Sequence, residues 1–127
     1  KYGLFNVALG RKGNNLIGAE EKDLYDRLQK DRQPIYYLPQ MGIYHYIPEK
    51  KITKSHFNEL TYSIGKSERI RTKSISNKEY IKRLIAEGIK WSASFVLFIG
   101  YSLLLQPSKG LRLLLFRWNV TKGLLGK

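Results

Sequence analysis

Residues 16–28 read LIGAEEKDLYDRL, and this stretch gathers acidic residues in a strongly basic chain. Four of the ten carboxylates of the protein lie here, although its formal net charge is +13. Leu24 and Leu28 are spaced i, i+4, so they share one face of a helix. Glu20 and Glu21 then fall in the first turn, where the helix dipole favours negative charge. The stretch therefore predicts a helix from residue 19 to about residue 31, with adjacent glutamates at its start.

Spacing alone leaves two interpretations of Glu20 and Glu21 open. Acidic residues in a first turn often do no more than stabilise a helix at the protein surface. However, these two follow a loop rich in Gly and Asn, residues 10–15 (GRKGNN). Two carboxylates presented by such a loop also suit a general base beside a sugar or phosphate site.

The short motifs around this stretch resemble the C-terminal half of the catalytic domain of inverting family 2 glycosyltransferases of the GT-A type. The motifs stand in the family's order, and they cover residues 5–67. They are the loop Phe5 to Gly13, the acidic Ala19-Glu20-Glu21, the run Leu24 to Leu28, Tyr37-Leu38-Pro39, His45, and Gly65-Lys66-Ser67. The chain departs from the family where Ala19 replaces a usual Gly and where Asn6 replaces a frequent Asp.

This resemblance implies a fold and a reaction. The fold would be an α/β fragment, mainly helical with two short strands: the end of a Rossmann-like GT-A domain, followed by a helical hairpin. The reaction would be transfer of a sugar from a nucleotide-sugar to an acceptor hydroxyl with inversion. Glu21 stands where the family has its catalytic Asp or Glu, with Glu20 beside it, and would deprotonate the acceptor. The residues implied to bind substrate are Arg11, Ala19, Asp23 and Arg27. Two alternatives stay open: Arg11 faces a donor diphosphate or only solvates its loop, and Asp23 and Arg27 order the helix or contact the acceptor.

Two short strands are predicted downstream, at residues 35–38 before Pro39 and at residues 42–47 before Pro48, from their β-branched and aromatic content. His45 lies in the second. A lone histidine among aromatic residues is commonly a packed or surface residue, whereas the resemblance puts it near the donor diphosphate and a divalent metal. The chain has no Asp-x-Asp, so a Mg²⁺ or Mn²⁺ site would need ligands from outside it.

Capping signals predict further helices. Thr53 is expected to cap a helix to about Ile64, and residues 65–73 are expected to form a basic connector. Residues 76–79 (SNKE) form a capping box that begins a new helix at about Asn77. We assign residues 1–75 to the acceptor side of the catalytic domain and residues 76–127 to membrane-associating helices. Because the chain enters at once on a family motif, we expect it to be a piece of a longer enzyme, inactive by itself.

The membrane assignment rests on residues 91–108, which contain no charged side chain and stand at the lower edge of the length of a membrane span. Pro107 interrupts the pattern, and residues 109–126 resume it with basic residues interspersed. The predicted membrane contacts are Lys90, Trp91, Phe95, Phe98, Tyr101, Arg112, Arg117 and Trp118. Whether residues 91–108 span the membrane or lie in it is open. The alternative is a buried hairpin packed on the catalytic domain or on another subunit, and a homo-oligomer is also open.

Composition narrows the function. The chain has no cysteine, which excludes disulfides, thiolate metal sites and a cysteine nucleophile. Residues 65–127 carry 13 Lys and Arg against 3 acidic residues, an excess that suits either nucleic acid or an anionic membrane. No nucleic-acid-binding motif accompanies it, so the membrane is favoured. We predict an enzyme of cell-surface polysaccharide or glycoconjugate synthesis whose catalytic part is cytoplasmic; the alternatives are a basic nucleic-acid-binding module and a structural membrane anchor or assembly domain.

Overall fold

The computed structural model describes residues 2–13 and 15–127, apart from the side chain of Lys50, and its regular structure is helical. The helices are α1 (Glu20–Lys30), α2 (Lys54–Ile75), α3 (Asn77–Leu103) and α4 (Pro107–Leu125), with a 3-10 turn at Glu49–Lys51. Helices α2, α3 and α4 pack on one another as a three-helix unit. Helix α1 is tied to the side of α2 by ion pairs.

The helix boundaries follow the predicted capping signals. The Thr53 hydroxyl accepts a hydrogen bond from the backbone N–H of His56, and the Ser76 hydroxyl accepts one from that of Glu79, so α2 and α3 begin where expected. Pro107 lies in the first turn of α4, where its missing N–H costs nothing. The predicted starts of α2 and α3 are confirmed, as is the helix over the acidic stretch, whereas α4 begins at Pro107, two residues before the predicted residue 109.

Helices α2 and α4 approach until their backbones touch. A Cβ atom added to Gly65 would overlap the carbonyl oxygen of Val120, and one added to Gly123 would overlap that of Tyr62. Beside this crossing, Val120 and Leu124 are almost completely buried. Glycine is required at both contact points because only its bare Cα leaves room for a facing main chain.

Contacts along the helices fix their directions. Helices α2 and α4 run parallel, since Phe57 lies beside Phe116 and Gly65 beside residues 120–124. Helix α3 runs antiparallel to α4, since the Tyr80 hydroxyl bonds the carbonyl of Leu124. The unit therefore has two ends. We call the end with the α3–α4 turn and the start of α2 the elbow end, and the opposite end, which carries α1, the α1 end.

The predicted α/β fold class is wrong. In the described parts of the chain there is no strand or sheet, and the only bridge joins Lys12 and Asn15. Residues 33–48 are irregular and largely exposed, with Tyr37 87% and Tyr44 104% accessible. Aromatic and β-branched residues favour strands only where a neighbouring strand completes the hydrogen bonds and buries their side chains. Nothing in the described structure offers that neighbour.

The predicted connector at residues 65–73 is also wrong, because α2 continues through it to Ile75. Gly65 does not break the helix, since it is the point of contact with α4. The hydroxyls of Ser67 and Thr72 donate to carbonyls one turn back, and Glu68 pairs with Arg71 at i, i+3. The basic residues of this segment thus lie on a continuous helix.

Candidate functional site

The acidic pair stands at the start of α1, where the sequence predicts it. The residue before it, Ala19, has φ 76° and ψ 17°, a left-handed conformation that costs a non-glycine residue roughly 1–2 kcal/mol. The loop is fastened to α2, because the N–H of Gly18 donates to the Ser67 hydroxyl at 3.0 Å. The fold thus brings together two of the predicted motifs, the acidic pair and Gly65-Lys66-Ser67.

The two glutamates have different surroundings. Glu20 is half-buried beneath the glycine-rich loop, and a Cβ atom added to Gly10 would lie 3.6 Å from its carboxyl carbon. Its Oε2 is buried and accepts no hydrogen bond from the described residues. Glu21 is exposed at the same helix start. One carboxylate is therefore accessible to a reactant, and the other holds a buried acceptor without a donor.

Asp23 and Arg27 fasten the N-terminal segment to α1. Asp23 is buried and pairs with Arg27 across one helical turn at 3.0 Å. The Arg27 guanidinium also donates to the carbonyl oxygens of Tyr2 and Leu4. These two residues are engaged in holding the loop that covers Glu20, and their predicted role in substrate binding stays a prediction.

An open cleft of about 880 Å³ runs along this face of α1, between α1 and the junction of α2 with α3. Asp23, Asp26 and Arg27 line it from α1, and Arg71 lines it from α2. Glu20 and Glu21 do not line it. Two ion pairs already join charged residues of its walls, Asp23 with Arg27 and Asp26 with Arg71.

The remaining predicted site residues lie apart from this centre. Arg11 is exposed in the loop, and His45 is exposed in the irregular segment at residues 33–48. Within residues 2–13 and 15–127, no group of three or more His, Asp or Glu side chains is arranged to hold a metal ion. The predicted divalent metal therefore stays a prediction.

A buried charge network joins all four helices. Glu68 of α2 is its centre and accepts hydrogen bonds from Lys22 of α1, Arg71 of α2 and Arg83 of α3 at 2.9–3.3 Å. Arg71 also pairs with Asp26 of α1. The network continues where Glu87 of α3 pairs with Arg83 and with Arg117 of α4. Since Lys22 and Asp26 of α1 both pair with residues of α2, the network fixes α1, and with it the acidic pair, against the three-helix unit.

The acidity of Glu68 reflects this network. Burial by itself would raise the pKa of Glu68, but hydrogen bonds from Arg71 and Lys22, and the positive charges of both, outweigh burial and hold that pKa at about 2 instead of 4.5. The carboxylate is thus ionised in the folded protein at every pH where the unfolded chain would begin to protonate it.

We expect acid to weaken the fold through Glu68. Because its pKa is lower in the folded chain, the stabilisation is complete above pH 4.5 and is lost as pH falls from there towards 2. This loss amounts to about 3 kcal/mol. Urea unfolding followed by circular dichroism across this range measures it. Glu68→Gln should be less stable at pH 7 and should show a flatter acid dependence, whereas Glu59→Gln at an exposed position should keep the native profile. An unchanged profile in Glu68→Gln would contradict the assignment.

Helix α3 is long and apolar enough to cross a membrane, and it alone of the described helices meets that standard. Its outward face carries one continuous stripe of exposed apolar residues at helical spacing. The stripe consists of Ile81, Ile85, Ile89, Val96, Ile99 and Leu103, which are 55–79% accessible. We call it the α3 stripe. Its size exceeds what scattered surface residues produce and marks a surface that contacts an apolar phase or partner.

The predicted membrane contacts divide between two faces. Phe95, Lys90, Arg112 and Trp118 are exposed. Trp91 donates to the Thr121 hydroxyl at 2.9 Å, Phe98 lies against Gly110, and Arg117 pairs with Glu87. These last three therefore join α3 to α4. Tyr101 is half-buried at the elbow end.

Sequence reasoning missed Ser67 and Glu68 as the residues that position the acidic loop. The sequence predicts Ser67 only as part of the Gly65-Lys66-Ser67 motif, and it predicts Glu68 as part of a connector. The available signal was the i, i+3 spacing of Glu68 and Arg71 on a segment without a helix-breaking proline.

The fold and site define an all-helical protein in which a three-helix unit with an apolar outer stripe carries an acidic helix start at one end. Compared with protein-family models, curated proteins and solved structures, the chain matches none.

Proposed function

We propose that this chain is the acceptor-side, membrane-contacting part of an inverting glycosyltransferase, which transfers a sugar from a nucleotide-sugar to an acceptor hydroxyl of a glycan or lipid-linked glycan. The observation that carries the proposal is the start of α1. There, an exposed Glu21 stands beside a half-buried Glu20 whose Oε2 has no described partner. A buried unpaired acceptor costs free energy, and such sites are retained where function uses them.

The conformation of Ala19 supports the family resemblance independently of the motif order. The resembled enzymes have glycine at this position, and here the backbone is left-handed, with φ 76°. Glycine adopts that conformation without steric cost, whereas alanine does not. The local geometry is thus the one that the family's glycine would favour.

The two carboxylates have complementary roles in the proposed reaction. Glu21 takes the proton of the acceptor hydroxyl while that oxygen forms its bond to the anomeric carbon, and the bond from that carbon to the nucleoside diphosphate breaks. The attack from the opposite side inverts the configuration. Glu20 supplies a fixed negative charge beside the base. The tie from Gly18 to Ser67 holds this constellation on the rigid α2.

The donor half of the site is proposed to come from groups outside this chain. A nucleotide diphosphate and a Mg²⁺ or Mn²⁺ ion need several oxygen ligands in one place. The exposed His45 and Arg11 are free to approach such a donor when another part of the enzyme brings it. The exposed apolar side chains of residues 33–48 would pack against the part of the enzyme that brings the donor.

The α3 stripe is proposed to contact the cytoplasmic surface of a membrane. The one acidic residue in the middle of α3, Glu87, is turned inward to Arg83 and Arg117, as a charge near lipid must be. Residues 88–127 contain no acidic residue, so the α3–α4 side of the elbow end carries only positive charges. Cationic and apolar surfaces together bind anionic membranes.

A direct assay tests the proposal. The complete polypeptide that carries this chain, in its membrane, should release nucleoside diphosphate from one of a panel of nucleotide-sugars when an acceptor is present. Residues 1–127 by themselves should release none. Equal rates for the complete polypeptide and for residues 1–127 would contradict the proposal that the donor half of the site comes from groups outside this chain. Vesicle binding without transfer by the complete polypeptide would leave a membrane anchor as the function.

A further inference from the structure

A surface groove of about 410 Å³ opens at the elbow end, where α2, α3 and α4 meet. Its walls are mostly apolar and come from all three helices. They consist of Phe57, Leu97, Tyr101, Leu113 and Phe116. The groove is open along one side, so it can admit a chain but does not enclose a compact molecule. Its Phe57 wall lies roughly 16 Å along α2 from Glu68, the centre of the charge network, while Arg117 at the other end of that network stacks on the Phe116 wall.

Two cations stand at the rim of this groove. Lys109 and Arg112 are exposed, lie one turn apart on α4 and line the groove. In the described structure, neither forms an ion pair, and no acidic residue follows Glu87 in the sequence. As neither cation is held in an ion pair, both are available to an anion placed over the apolar channel.

The turn between α3 and α4 carries a group of exposed leucines. Leu103, Leu104 and Leu105 are 68–89% accessible and follow each other at the turn between α3 and α4. Leu105 lies two residues before α4 begins at Pro107, and Lys109 and Arg112 lie in the first two turns of that helix. The leucines therefore stand nearer the tip of the elbow than the two cations, so they enter the hydrocarbon when the cations lie at the phosphates.

We propose that the groove binds one anionic phospholipid of the membrane, with the phosphate on Lys109 and Arg112 and an acyl chain along the apolar walls. The inference rests on the membrane contact proposed above and deepens it. A second copy of this chain does not fit, because it is itself cationic, at +13. A nucleic acid would satisfy the two cations but leaves the apolar walls unused. A phospholipid satisfies both.

Flotation with lipid vesicles tests the phosphate contact. The native chain should bind vesicles of phosphatidylcholine that contain phosphatidylglycerol more tightly than vesicles of phosphatidylcholine alone. The double variant Lys109→Gln/Arg112→Gln should lose about 30-fold in affinity for the mixed vesicles and little for the neutral ones. The charge-matched control Lys66→Gln/Lys122→Gln, toward the α1 end, should lose less than about threefold, because screening limits distant charges.

A soluble short-chain lipid tests the groove. Dihexanoyl-phosphatidylglycerol below its micelle concentration should give saturable NMR shifts at Leu97 and Leu113, which Leu97→Trp should abolish by filling the groove. Equal NMR shifts with inorganic phosphate would indicate a site for free phosphate. Equal NMR shifts with dihexanoyl-phosphatidylcholine would indicate a groove that does not recognise the headgroup. Salt-sensitive RNA binding lost in the double variant would indicate nucleic acid. Each of these overturns the proposal. Failure to bind any vesicle would instead defeat the membrane contact itself.

Discussion

Replacing Glu21 by Gln in the complete polypeptide is expected to lower kcat by about two to four orders of magnitude, the usual contribution of a general base. The glutamine keeps the shape of the side chain but cannot accept the proton of the acceptor hydroxyl. Glu21 is exposed at the helix start, so the change removes no packing and should leave folding intact. Because substrate binding does not need the proton to move, KM should change little. Initial rates of nucleoside diphosphate release measure both constants.

The neighbouring glutamate separates the roles of the two residues. Glu20→Gln should lower the rate less than Glu21→Gln, since Glu20 is half-buried beneath the loop at Gly10 and acts through its charge. Glu59→Gln, on the exposed side of α2, is the matched charge control and should keep the native rate. If Glu21→Gln retains the native rate and Glu20→Gln abolishes it, the base is Glu20. If neither variant matters, the proposed reaction fails.

Helix positions were predictable where the decisive interactions are local. A capping hydroxyl and the N–H that donates to it lie within three residues of each other. Thr53 and Ser76 therefore predict the starts of α2 and α3 from the sequence alone. The irregular structure of residues 35–38 and 42–47, where strands are predicted, has no such local signal. Their aromatic and β-branched content expresses only a preference for a sheet, and the sheet must be supplied by a neighbour. The same composition here forms an exposed irregular segment.

The local part of the candidate site was predictable from the sequence, and its long-range contacts were not. Adjacent glutamates at a helix start follow from the pattern of residues 16–28. The tie from Gly18 to Ser67 spans 49 residues, and the pair between Lys22 and Glu68 spans 46, so neither has a local signal. The buried, unpaired oxygen of Glu20 depends on how the loop at Gly10 folds back over α1, which spacing does not encode.

The crossing of α2 and α4 should be the most sensitive packing point of the fold. Gly65→Ala places a methyl group on the carbonyl oxygen of Val120, and Gly123→Ala places one on that of Tyr62. Neither neighbour can rotate away, because each is main chain inside a helix. The helices must separate, which withdraws Val120 and Leu124 from contact across the whole interface. We expect each variant to lose roughly 3 to 5 kcal/mol in the free energy of unfolding, measured by urea denaturation.

Two other helical glycines provide the matched controls. Gly88 and Gly100 of α3 have no atom within 4 Å of an added Cβ. Gly88→Ala and Gly100→Ala should therefore raise helix stability by about 0.5 to 1 kcal/mol, since alanine loses less backbone entropy than glycine. The same Gly→Ala change would then lower the free energy of unfolding at Gly65 and Gly123 and raise it at Gly88 and Gly100. Opposite signs would identify the close approach of the backbones as the cause. If Gly65→Ala were as harmless as Gly88→Ala, α2 and α4 would not touch, and α2 would no longer connect the acidic helix start to the hairpin of α3 and α4.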